Sequence, residues 1–153
     1  MPHTAIDIHH HYVPQQLIEE TKKHGKALGV EVADAKGSWS LSFSGSKPHR
    51  LQPPIFDVEG HLAIMDRGQV GLATLEANTN SLGYRLNGAQ GEAWCNLYND
   101  CTDLLAKQQP DRFIGMAVVP LQDAGRAAKV LEHAIVDLKF RGAFIGTNVN
   151  GQY

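Results

Sequence analysis

The sequence predicts an α/β protein built on parallel strands. Segments of strand character alternate with segments of helical period along most of the chain. Two strand candidates, Val70-Gly-Leu-Ala-Thr-Leu75 and Phe113-Ile-Gly-Met-Ala-Val-Val119, are near-continuous apolar runs, as strands covered on both faces are. Between them lies a segment whose apolar residues fall on a single helical stripe.

Taken in order, Ala5-Ile-Asp-Ile-His9 reads as the first strand, with β-branched Ile6 and Ile8, and Tyr12-Val13-Pro14 ends it. Residues 15–24 read as a helix stopped by Gly25. Residues 25–54, rich in Gly, Ser and Pro, form an insertion. The alternating Trp39-Ser-Leu-Ser-Phe43 makes it a hairpin or extended excursion outside the core. Asp57 can cap a helix carrying Val58, Leu62 and Met65 on one face, and Gly68 can end it. Strand Val70–Leu75 and the loop Asn78–Gly83 follow. The next helix carries Trp94, Leu97, Tyr98, Cys101, Leu104 and Leu105 as its stripe, with Pro110 beyond its end. After strand Phe113–Val119, Asp123 can cap a helix with Ala127, Leu131, Ala134, Ile135 and Leu138 inward, and Ala143-Phe-Ile-Gly-Thr147 is the last strand. Four parallel strands suit an open doubly wound sheet or half of a closed barrel, and periodicity does not choose between them.

The 153 residues are 42% hydrophobic and 20% charged, the mix of a folded domain with a sizeable core. A net charge of −2 gives no bulk attraction to nucleic acid or acidic membranes. No apolar run approaches the roughly 20 residues of a membrane helix, and the N-terminus lacks a signal-peptide layout. A cytoplasmic protein is the expectation. Cys95 and Cys101 lie six apart in one helical pattern, point to different sides, and are expected as buried free thiols.

The chemistry is concentrated in Asp7-Ile-His9-His10-His11. Side chains two apart on a strand share a face, so His9 and His11 can reach one metal ion while His10 turns the other way. The pair ends its strand, the edge where parallel α/β proteins build active sites. Asp7 is expected to point away from the pair. His3, His24, His61 and His133 sit in terminal or helical settings with no such pattern.

Four stretches resemble the amidohydrolase superfamily, in the branch of aminocarboxymuconate-semialdehyde decarboxylase and related aromatic-acid decarboxylases. They are Ile6–Pro14, Met65–Gly68 with the strand after it, Asp111–Gln122 and Phe140–Gly151, in family order. The resemblance implies the N-terminal portion, about four βα units, of a TIM-type (β/α)8 barrel across residues 1–153, with the insertion at about 25–54. It implies one divalent metal ion, zinc being the expectation, on His9 and His11. Its further ligands and the acid–base groups fall at positions beyond Tyr153, so the catalytic residues are not assigned. The last strand lacks the lysine that binuclear members carboxylate, which supports a single metal.

A full barrel needs about 250 residues, so the chain is expected to be an incomplete piece, inactive and weakly metal-binding alone. The implied activity of the whole protein is decarboxylation of an unsaturated or aromatic carboxylic acid. The alternatives are a metal-dependent amidohydrolase or lactonase of the same superfamily, and a non-catalytic protein needing a partner. A small carboxylic acid is the expected partner, with homo-oligomers by analogy and neither nucleic acid nor membrane.

Arg50 falls where the resemblance implies an arginine that grips a substrate carboxylate, a task its planar fork suits. Asn78, Thr79 and Asn80, together with Thr147 and Asn148, follow strands and are expected to line the pocket; Asn78 and Asn148 are the chosen substrate contacts. Lys139 replaces a glycine that family members place before Phe140, which puts that turn in question if it needs a positive φ.

Overall fold

The computed structural model describes residues 5–34 and 37–152. Its elements are β1 (Ala5–His11), α1 (Gln15–Leu28), β2 (Val30–Asp34), β3 (Trp39–Phe43), β4 (His49–Leu51), α2 (Val58–Arg67), β5 (Val70–Glu76), α3 (Gly88–Gln108), β6 (Phe113–Gly115) and α4 (Ala124–Val136). Short 3-10 turns occupy Pro53–Phe56 and Thr79–Ser81. Strands β1, β5 and β6 form a parallel sheet in that order. A parallel bridge from Ala117 to Ala143 adds the fourth segment. This is the expected α/β arrangement of successive βα units.

The insertion differs from expectation. It is a three-stranded antiparallel sheet, β2-β3-β4, and it belongs to the core. Leu41, Phe43 and Leu51 are buried and join Leu17, Trp94 and Val118 in one apolar cluster. The alternation in Trp39–Phe43 marked the strand correctly. Its apolar face simply meets the main body rather than solvent.

Glycine roles also shift. Helix α1 runs through Gly25 and ends at Gly29, whose φ of 68° makes the left-handed cap. Gly25 serves a close approach instead: a Cβ there would lie 2.2 Å from the Val30 carbonyl oxygen. At the end of α2, Gly68 keeps a φ of −82°, and Gln69 takes the left-handed conformation at 56°.

Two helix faces need correction. On α3, Trp94, Tyr98, Cys101 and Leu105 are buried as expected, but Leu104 is exposed. Asp103 is buried in its place and ion-pairs with Lys107 at 2.6 Å. On α4, the inward face is Ala127, Val130 and Ala134, while Leu131 and Ile135 are exposed. Cys95 and Cys101 are free, buried thiols. Burial pushes both up, Cys101 to about 11.

The strand expected at 113–119 is regular only to Gly115. Beyond it the backbone is held by a side chain: Asn99, fully buried on α3, donates from Nδ2 to the Val118 carbonyl (3.0 Å) and accepts from Val118 N–H (2.8 Å). Asn99→Ala would leave both buried groups unpaired. It should lower unfolding free energy by about 2–3 kcal/mol in urea titration. A loss under roughly 0.5 kcal/mol would mean that other groups satisfy this backbone.

The Met65–Gly68 and Asp111–Gln122 segments meet at the start of β5. Arg112 donates to Asp66 Oδ1 at 2.8 Å and to the Gly71 carbonyl at 3.1 Å. The turn at Lys139 does require a positive φ, 62°. Lys139→Gly should therefore stabilise the chain by about 0.5–1 kcal/mol, since left-handed strain of about 1–2 exceeds glycine's entropic penalty of about 0.5–1. An unchanged melting temperature would show that Lys139, through Nζ on the Val136 carbonyl, already offsets that strain.

Strand β1 is irregular in a way that matters for the site. Asp7 pairs with Ala73 and His10 with Leu75, so three steps on β1 match two on β5. This bulge re-aims side chains. The Asp7 carboxylate stabilises it by accepting from His9 N–H at 3.0 Å.

Candidate metal centre

The C-terminal edge of β1 and β5 brings His9, His11 and Glu76 together. One donor atom from each lies within 4.8 Å of the others. His11 and Glu76 are register partners on adjacent strands. The His9 and His11 rings are 4.6 Å apart, edge to face, so the two predicted residues do share a side. His11 Nδ1 donates to the Ala77 carbonyl at 2.9 Å, because a carbonyl can only accept. That fixes Nε2 as its free lone pair, the usual support for a metal-binding imidazole. Two imidazoles and a carboxylate suit a divalent ion in their donor chemistry.

Glu76 was missed in the sequence. It ends an apolar run and looks like the start of a loop. The register that sets it opposite His11 becomes visible only once β1 and β5 are paired.

His10 faces the other way, as expected. Its ring stacks edge-on with His61 of α2 at 4.6 Å, and its Nδ1 lies 3.2 Å from Asp7 Oδ2. Asp7 is thus turned from the metal pair. The His9 backbone N–H, and to a smaller degree His10, hold its carboxyl below the usual range against some desolvation. Burial, and then His10, lower His61. His61 was expected to be an ordinary helical histidine, and it packs under the sheet.

A cavity of about 420 Å³ opens at the same end of the sheet. Its walls include His49 and Phe43 of the insertion, Thr79 and Asn80 after β5, Arg85, and Asn148. No aspartate or glutamate lines it among the described residues. The metal trio does not line it either. The link is Phe144, whose ring meets His11 at 5.4 Å and whose segment leads to Asn148.

Of the residues chosen for substrate contact, Asn148 lines the cavity. Asn78 lies behind it, accepting from Asn80 N–H at 3.0 Å and so shaping the turn that presents Thr79 and Asn80. Arg50 is exposed on β4, with Nε donating to Ser38 Oγ at 3.3 Å, and its neighbour His49 is the wall residue. Arg85 was not singled out. Its place in the loop that follows a barrel-type strand was the available signal. Tyr84 and Gln122 fix that loop: Tyr84 Oη accepts from Gly146 N–H at 3.1 Å, and Gln122 donates to the Leu86 carbonyl at 3.1 Å.

The chain is 28% identical over 128 residues to 2-amino-3-carboxymuconate-6-semialdehyde decarboxylase of Caenorhabditis elegans, covering 82% of this chain and 31% of that protein. It shares its fold with the crystal structure of 5-carboxyvanillate decarboxylase from Sphingomonas paucimobilis: TM-score 0.70, 22% identity, 99% of this chain and 45% of that one. It also shares its fold with a dihydroxybenzoic acid decarboxylase from Polaromonas sp. JS666, solved with bound manganese and an inhibitor. There the TM-score is 0.66 and the identity 19%, over 92% of this chain and 37% of that one. The chain thus spans between about a third and under half of the length of these relatives. No helix among the described residues is long and apolar enough to cross a membrane. The amidohydrolase family model matches residues 6–153, almost every position from β1 to the end, and the chain belongs to the amidohydrolase family.

Proposed function

We propose that the whole protein is a metal-dependent carboxy-lyase that releases CO2 from an unsaturated or aromatic carboxylic acid. The observation that carries this reading is the convergence of two imidazoles and a buried carboxylate at the sheet end where a cavity opens whose walls include Arg85, His49 and Asn148 and, among the described residues, no acid. An anionic substrate fits such a cavity, and related proteins named as decarboxylases of such acids support the choice.

His9 and His11 hold the divalent ion, with zinc favoured by the imidazole pair. When bound, the ion supplies Lewis-acid polarisation and orientation of a substrate oxygen or water. Arg85 and His49 receive the carboxylate, the arginine through paired N–H groups. Asn148, also in the cavity wall, hydrogen-bonds the substrate. Asn78 positions Thr79 and Asn80, and Arg50 adds positive charge on the strand that carries His49. The carbon–carbon bond breaks with its electron pair left on the substrate carbon, which then takes a proton as CO2 leaves. The proton donor and further ligands come from segments of the whole protein outside these four units.

The test is a product assay on the whole protein, purified with zinc or manganese. Hydroxybenzoates and 2-amino-3-carboxymuconate semialdehyde are offered in parallel with lactones and amides. CO2 release from one of the acids is expected. Ring opening or amide cleavage without CO2 would assign the protein to the hydrolases instead.

A further inference from the structure

We propose that Glu76 is itself a metal ligand, coordinating the same ion as His9 and His11 and giving this chain a three-ligand site of its own. This deepens the metal reading above and rests on it. Glu76 is the last residue of β5, and its side chain is 5% exposed. A carboxylate buried that far needs a cation or a full set of hydrogen bonds. It has neither. Oε1 accepts from Thr74 Oγ1 at 3.2 Å, but Oε2 is buried with no hydrogen-bond partner. Among the described residues its one ion-pair contact is His9.

That contact is the informative one. Oε2 lies 2.9 Å from His9 Nδ1, yet the two form no hydrogen bond, so the ring N–H is not aimed at the carboxylate. An outer-shell carboxylate would accept from the imidazole N–H, as supporting groups do. Two potential ligand atoms at this spacing, unaligned for a hydrogen bond with each other, are placed to share a common third group. Ligand atoms bonded to one ion at ~2.1 Å sit about 3 Å apart when the bonds are at right angles. His11 completes the set, its Nε2 freed by the Ala77 contact. Two imidazoles and one carboxylate from adjacent strands are ligand types that divalent metal sites use, and they supply three donors before any that the rest of the whole protein adds. The carboxylate also adds a hard donor, which widens the site's tolerance toward manganese.

The experiment is calorimetric titration of the 153-residue chain with Zn2+ and with Mn2+, alongside Glu76→Gln, Glu76→His and the His9→Ala/His11→Ala double variant. The unaltered chain should bind one ion. Glu76→Gln should weaken zinc at least tenfold and manganese further. Without metal it should melt no lower than the unaltered chain, because it removes a buried unpaired carboxylate. Glu76→His covers the case in which Gln does not fold: imidazole ligates zinc well and manganese poorly, so the zinc-to-manganese affinity ratio should rise at least tenfold. If Glu76→Gln binds within twofold of the unaltered chain while the double variant does not bind, Glu76 is no ligand and the His9–His11 reading stands. If Gln fails to fold and His leaves the ratio unchanged, the ligand role is also refuted. If every variant binds alike, both readings fail.

Discussion

Replacing His9 and His11 together with alanine should abolish saturable divalent-metal binding. The affinity loss should be roughly a hundredfold or more, beyond the 10–100-fold that removal of a mere supporting contact brings. The reason is geometric. The two rings are 4.6 Å apart on one side of β1, and no other described group of three or more metal-type side chains converges. Metal also stabilises whatever it binds in the folded state, so the melting temperature of the unaltered chain should rise with added zinc while that of the double variant should not. His10→Ala is the matched control. His10 lies between the pair in sequence but packs against His61, so this variant should keep metal affinity within about twofold. Loss of binding in His10→Ala, with retention in the double variant, would place the centre on the wrong side of the sheet.

Trp94→Ala should produce the largest loss of stability, about 3–5 kcal/mol by urea unfolding, the range for emptying a fully buried aromatic site. Trp94 has no exposed surface. Its ring meets Phe43 of the insertion at 5.3 Å and Tyr98 of its own helix at 6.0 Å. Its Nε1 donates to the Ser81 carbonyl at 2.8 Å. One side chain therefore joins α3, the insertion and the turn that presents Thr79 and Asn80. Trp94→Phe keeps most of the apolar volume and loses the hydrogen bond, so it should be milder, about 1–3 kcal/mol. A Trp94→Ala loss below about 1 kcal/mol would show that the insertion is not anchored through this residue.

The dependence on Trp94 also explains what could be read in advance. The stripe that holds Trp94, Tyr98 and Cys101 is local in sequence, so its burial was legible from period alone. So were the side-chain caps: Asp57 accepts from Gly60 N–H and Asp123 from Arg126 N–H. The sharing of one side by His9 and His11 followed from strand alternation. What escaped depends on distant partners. Phe43 and Leu41 gave the insertion its alternation, but nothing local said that their face would find Trp94. Leu104, Leu131 and Ile135 lie on predicted apolar stripes and remain exposed, because helix period fixes a direction and not the presence of a neighbour. Glu76 depended on strand register and Arg85 on loop geometry. Asn99 replaces a strand partner for Val118, an exchange no spacing rule anticipates.

The bulge in β1 has a last consequence. Asp7, His9 and His11 are alternate residues, and strict alternation alone would set all three on one side, so the expectation that Asp7 turns away is met only because the strand is not straight. The extra residue shifts the parity midway, so Asp7 lands beside His10 and beneath the sheet. Which acid joins the imidazoles is thus settled by an irregularity in pairing: the nearby aspartate is deflected, and a glutamate sixty-five positions beyond His11 takes its place.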